Sequence, residues 1–122
     1  MKKYKQIIVA NWKMKLDVDE AINLSKELKE LLAGESIVDK KIVLCPSFLA
    51  IHDVARILKD SGISLGAQDV FYEEEGAFTG EVSPENLKDL GCEYIIVGHS
   101  ERRAMGEADE VVNKKAQAVL DN

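Results

Sequence analysis

The chain has 122 residues, 46% of them apolar, with eight Gly and two Pro, which describes one globular domain and excludes a disordered segment. Its 22 acidic and 16 basic side chains give a formal net charge of −6. That balance argues against general nucleic-acid binding, which needs a basic surface, but leaves room for a small anion held by one local Lys.

In chain order, the basic stretch Met1-Lys2-Lys3-Tyr4-Lys5-Gln6 comes first. The apolar run after it, Ile7-Ile8-Val9-Ala10, is too short for a signal-peptide core, and no run is long enough to span a bilayer. A cytoplasmic protein is expected. Ile7 to Ala10 reads as the first strand. Asp17 is a candidate N-cap for a helix whose apolar stripe is Val18, Ala21, Ile22, Leu28, Leu31 and Leu32. Lys41 to Cys45 reads as the second strand, followed by a helical stripe of Phe48, Ile51, Val54, Ala55 and Leu58. Ile63 to Gly66 reads as the third strand. Ser83-Pro84-Glu85 opens a short helix, with Ser as N-cap, Pro at the first helical position and Gly91 as the C-terminal cap. Tyr94 to Val97 reads as the fourth strand, and Ala108, Val111, Val112, Ala116, Val119 and Leu120 mark a last helix. The first and fourth runs are apolar without alternation, as expected for strands covered on both faces. Cys45 and Cys92 lack metal-like spacing and are expected to be buried, reduced thiols.

The order is thus strand–helix four times, which implies parallel strands joined by right-handed crossovers. No internal repeat, low-complexity tract or linker divides residues 1–122. The irregular stretch from Gly66 to Val82 is too long for an ordinary βα loop and is expected to be functional. Four such units fit a small doubly wound sheet or half of a (β/α)₈ barrel, and periodicity does not separate the two.

Both architectures bind ligands at the C-terminal ends of the strands. The first strand runs into Asn11-Trp12-Lys13-Met14, the third into Gly66-Ala67-Gln68-Asp69, and the fourth into Gly98-His99-Ser100-Glu101-Arg102-Arg103. An amide, a Lys and a His therefore converge on one face. A compact ammonium suits a phosphate or a developing oxyanion, a His moves or donates a proton, and an amide fixes orientation. Singly, each has a plainer reading: a solvated Lys, a structural His, and a charged loop over Glu101, Arg102 and Arg103. Glu73-Glu74-Glu75 reads as a solvated loop, and His52, within the second helix, as structural or exposed.

Three long segments together resemble the triosephosphate isomerase family: Asn11-Trp12-Lys13-Met14; Gly66-Ala67-Gln68-Asp69 with Gly76-Ala77-Phe78-Thr79-Gly80-Glu81; and Tyr94 to Arg103. Their order and spacing match the family over essentially the whole chain. The resemblance implies an α/β fold, the first four βα units of a (β/α)₈ barrel, and interconversion of dihydroxyacetone phosphate and D-glyceraldehyde 3-phosphate through an enediolate. It implies that Lys13 neutralises the phosphate and the enediolate, that Asn11 positions a substrate oxygen, and that His99 is a neutral electrophile on the carbonyl. The resemblance further implies that this imidazole is tuned by a helix N-terminus. Ser100 would border the site and Glu101 would orient or pair with Lys13. Gln68 and Thr79 would serve a homodimer interface, with Thr79 approaching the partner's site. No metal or organic cofactor is implied.

The chain departs from the family's pattern in places. Asp69 stands where Asn is usual and is expected to set a negative charge near Lys13. The segment Arg103 to Glu107 is one residue shorter than usual, with Met105 in place of an aromatic residue. The family's catalytic Glu from the sixth strand, its lid, and the phosphate-binding amides of the seventh and eighth strands have no counterpart, so the chain alone is expected to be inactive. The end at Asp121-Asn122 reads as a cut at a βα boundary. Open strand edges lead to a second reading: a non-catalytic half-barrel that self-associates or complements a C-terminal half. An unrelated open-sheet module is disfavoured, because it needs an acidic phosphoacceptor cluster or a Gly-rich phosphate loop, and neither is present.

Overall fold

The computed structural model describes residues 5–122, and the basic stretch Met1 to Tyr4 lies outside the described residues. Four parallel strands, β1 (Gln6–Asn11), β2 (Lys40–Cys45), β3 (Ser64–Ala67) and β4 (Cys92–Ile95), form one sheet in the order β1-β2-β3-β4. Strand order equals chain order, with no reversal. A doubly wound sheet reverses direction at a switch point, whereas same-handed crossovers in sequential order lay their helices along one face, as in a barrel. The order therefore decides between the two architectures left open by periodicity: this is the sheet of half a (β/α)₈ barrel.

Among the described residues five α-helices accompany the sheet: α1 (Val18–Leu32), α2 (Ile51–Leu58), α3 (Pro84–Asp89), α4 (Ser100–Ala104) and α5 (Asp109–Asp121). α1 starts where the sequence says it should. The Asp17 carboxylate accepts from the Glu20 amide at 2.8 Å, and Glu20 accepts from the Asp17 amide at 2.9 Å, a reciprocal cap worth about 1 kcal/mol. Lys29, in the last turn of α1, donates to the carbonyls of Ile57 and Lys59 at the C-terminus of α2, where the helix dipole favours a cation. Ser83 caps α3, Pro84 is its first residue, and Gly91 follows it with φ +95°.

The core lies between the helices and the central strands, where Leu44 and Leu65 meet Ala21, Ile51, Val54, Leu58 and Leu87. Truncating a Leu in such a place costs about 2–5 kcal/mol. Gly66 is needed at the β3–β4 register shift, since a Cβ there would sit 2.6 Å from Cys45 Sγ and 3.1 Å from the Tyr94 carbonyl. Cys45 is buried and Cys92 half-buried, and both are free. Burial pushes their thiols up to about 11 and about 12, so neither is a thiolate near neutral pH.

Four expectations need correction. β1 is not covered on both faces: Ile7, Ile8 and Val9 are all exposed, because β1 is an edge strand and apolar cover is concentrated on β2 and β3. Phe48 does not continue the second helical stripe. It belongs to a 3-10 turn, Phe48–Ala50, ahead of α2, and is partly exposed. Leu31 and Leu120 lie at the margins of their stripes and point outward. The polar segment after β4 is not a plain loop, because Ser100–Ala104 is helical.

Candidate active site

The C-terminal ends of β1, β3 and β4 surround a cleft of about 260 Å³ lined by Asn11, Lys13, Phe48, Gln68, His99 and Glu101, among others. A larger hollow of about 600 Å³ lies at the opposite end, by Lys41, His52, Arg56 and Glu93. The smaller cleft is the chemical candidate, because the amide, ammonium and imidazole converge there and strand C-terminal ends are where such sheets bind ligands.

Each side chain is placed by a local device. Asn11 ends β1 and its Oδ1 accepts from the Lys13 amide at 3.0 Å. Trp12 donates its amide to the Cys45 carbonyl, so the loop stays tied to β2. Lys13 itself adopts φ +54°, a left-handed conformation uncommon for a side chain with a Cβ and typical of strain held at a functional site. Gln68 lies beneath this turn and donates from Nε2 to the carbonyls of Lys13, at 2.9 Å, and Cys45, at 3.0 Å. Gln68, expected at an interface, thus also ties the Lys13 loop to β2.

The Lys13 ammonium reaches across to Glu101 Oε1 at 2.6 Å. That hydrogen bond, aided by the charge of Lys13, holds the Glu101 carboxyl below its ordinary range against the opposing effect of burial. His99 precedes α4 and acts as its N-cap: its Nδ1 accepts from the Glu101 amide at 3.1 Å. An imidazole nitrogen that accepts carries no proton, so the hydrogen of the neutral ring sits on Nε2, leaving that atom a donor. Gly98 makes this turn with φ +65°, and a Cβ there would lie 2.7 Å from Val112 Cγ1 of α5.

Ser100 and Thr79 do not line the cleft. Ser100 is exposed at the start of α4, and Thr79 is exposed in a turn closed by the Glu81 amide on the Phe78 carbonyl. Phe48 and Met105 do line it, and the sequence had not marked either as a contact.

Asp69 lines the cleft too, but its charge is not directed at Lys13. Lys115 Nζ donates to Asp69 Oδ1 at 2.9 Å and to Glu107 Oε2 at 2.7 Å. Arg102 Nε lies 3.1 Å from Asp69 Oδ2 and 3.0 Å from Glu107 Oε2. Two carboxylates thus face two cations, and the charge that Asp in place of Asn adds is balanced locally. Burial pushes the Glu107 carboxyl up, but the hydrogen bonds from Lys115 and Arg102 outweigh it and leave the carboxyl below its ordinary range. Lys115 was not singled out by sequence reasoning. The signal was present: it interrupts the apolar stripe of Val112, Ala116 and Val119 with a charge.

Among the described residues, no helix is long and apolar enough to cross a membrane. The sequence matches the family model described as triosephosphate isomerase over residues 6–122. It is 49% identical over 117 residues to the triosephosphate isomerase of Endomicrobium trichonymphae, covering 95% of this chain and 46% of that protein. It is 47% identical over 118 residues to that of Dictyoglomus thermophilum, covering 96% and 47%. For the enzyme of Pelobacter propionicus the figures are 50% over 115 residues, 93% and 45%. The chain therefore spans less than half the length of these curated relatives. With the strand order and the three converging strand ends, these matches place the chain in the triosephosphate isomerase family.

Proposed function

We propose that residues 1–122 are the N-terminal half of a barrel domain and contribute the electrophilic side of a triosephosphate isomerase site. The reaction interconverts dihydroxyacetone phosphate and D-glyceraldehyde 3-phosphate by moving a proton between adjacent carbons through an enediolate. The observation that carries this reading is the 2.6 Å Lys13–Glu101 contact, which ties the loop after β1 to the helix after β4 and sets Asn11, Lys13 and His99 around one cleft. Lys13 neutralises the phosphate and the oxyanion. Asn11 orients a substrate oxygen, and His99 donates from Nε2 to the carbonyl that becomes the enediolate oxygen. Glu101 holds the Lys13 ammonium until an anion arrives. The family reading brings with it a cytoplasmic setting and a homodimer reached through Thr79.

Proton abstraction needs a base, and among the described residues the cleft offers two carboxylates. Glu101 is held below its ordinary range by Lys13, and Asp69 is paired with Lys115 and Arg102. A general base works best with a pKa near the operating pH and contributes about 10²–10⁴ in rate. These residues alone therefore give little or no turnover. Purified chain and a Lys13→Ala variant, compared in a coupled isomerase assay, are expected to show the same background. Turnover that depends on Lys13 would show that a base is supplied after all.

The exposed edge of β1 favours a second reading, in which this half-barrel pairs with four further βα units or with another copy of itself. Sedimentation is expected to show self-association of the purified chain. A monodisperse, cooperatively folding monomer would count against it.

A further inference from the structure

We propose that Lys115 is a positioning residue for the candidate site, acting through a charge-balanced cluster on the helix that His99 caps. The inference rests on the reading of Lys13 and His99 as a substrate site, but not on turnover.

The path is short and each link is a contact. Lys115 is 3% exposed, and its ammonium is shared between Asp69, which follows β3, and Glu107, which follows α4. Both carboxylates also hold Arg102 Nε. Arg102 is in α4, and its backbone amide donates to the His99 carbonyl at 2.9 Å. Glu101, its neighbour, donates its amide to His99 Nδ1 and accepts from Lys13. α4 has only five residues and no buried side chain, so little apolar packing fixes it. Polar contacts hold it instead: Glu101 to Lys13, Arg103 to the Gly98 carbonyl and Asp109, and Arg102 to the carboxylates that Lys115 divides.

The cluster is balanced two against two. Among the described residues Glu107 Oε1 is buried with no partner, so they stabilise this carboxylate through Oε2, which both cations touch. Removing Lys115 leaves Arg102 alone with two buried carboxylates. One positive charge then faces two carboxylates that repel each other, and α4 moves with whichever one Arg102 follows. Removing the charge of Asp69 as well restores balance at one against one, and Arg102 stays with Glu107.

The test is NMR of the isotopically labelled chain carrying Lys115→Met, Asp69→Asn, or both. Two signals are read: the His99 ring ¹⁵N shifts, which report which nitrogen carries the proton, and hydrogen exchange at the Glu101 amide. In Lys115→Met the His99 pattern is expected to shift, and exchange at Glu101 to quicken about tenfold as its hydrogen bond to His99 opens. Asp69→Asn unbalances the cluster in the opposite sense and is expected to move the same signals less. The double variant is expected to return toward the native pattern, a non-additivity that a merely structural lysine would not produce. Should Lys115→Met not fold, Asp69→Asn and the double variant carry the test alone. Native His99 signals in the folded single variants, or additive changes in the double, would overturn the proposal. A failure of the isomerase reading shows separately, in the Lys13→Ala turnover comparison.

Discussion

Two lysines in this molecule hold carboxylates at nearly the same distance and do opposite things. Lys13 meets Glu101 at 2.6 Å with side chains 49% and 55% exposed. Lys115 meets Glu107 at 2.7 Å and Asp69 at 2.9 Å with side chains 3%, 6% and 10% exposed. Contact distance does not separate them; solvent does. In water an ion pair is screened, each member can be rehydrated at little cost, and an incoming anion can take the place of the carboxylate. In the interior each charge is stranded if its partner leaves. The first lysine is therefore free to change partner and suits a ligand, whereas the second is fixed and suits a scaffold.

The largest expected effect breaks the buried side. Lys115→Met should destabilise the chain by about 3–5 kcal/mol, the usual penalty for removing one member of a buried ionic group, read as a lowered midpoint in urea. Asp69→Asn in the same chain should recover part of it. A loss no larger than that of a surface lysine would show that the cluster is hydrated and that the comparison is empty. A smaller effect is expected at the exposed side. Lys13→Ala should lower the urea midpoint only slightly, as loss of an exposed ion pair does, yet weaken binding of inorganic phosphate by about tenfold, the effect of losing one charged hydrogen bond. Calorimetric titration checks this, and equal phosphate affinity in both proteins would remove Lys13 from the site.

The same contrast explains what the sequence discloses. Features whose partners are close along the chain are readable: Asp17 with Glu20, Ser83 with Pro84 and Gly91, and the polar residues at strand ends that include Asn11, Lys13 and His99. Asp69 was not readable in this way, because its partner Lys115 lies 46 residues away on α5. Lys115 left a local trace as a charge inside an apolar stripe, but nothing local names the carboxylates it serves. α4 escaped notice because it is short, has no apolar stripe, and is capped by His99, whose ring takes a role usually filled by Ser, Thr, Asp or Asn. Glu101 in its first turn and Arg102 and Arg103 in its last do follow the helix dipole, and that was the signal available. The exposure of β1 was unreadable for another reason. Ile7 to Val9 have the composition of a covered strand, and composition does not say whether the cover is part of this chain.

The smallest expected effect is the most selective, because it asks whether the two lysines act independently. Glu101 and Glu107 both titrate below their ordinary value of 4.5, the first through Lys13 and the second through Lys115 and Arg102 against the opposing pull of burial. A carboxyl whose folded pKa is depressed adds stability that is present above the unfolded value and is lost as pH falls through the folded one. Through these two groups, acid should therefore cost the chain stability progressively as pH falls from about their ordinary value toward their lowered ones, with the buried Glu107 the greater contributor because its charge has fewer alternatives. Lys13→Ala removes the main cause acting on Glu101, so its carboxyl midpoint, followed by NMR, should rise toward the ordinary value while that of Glu107 stays in place. If Glu107 moves with it, the exposed and buried lysines form one electrostatic unit, and the division between an exchangeable pair and a fixed one fails.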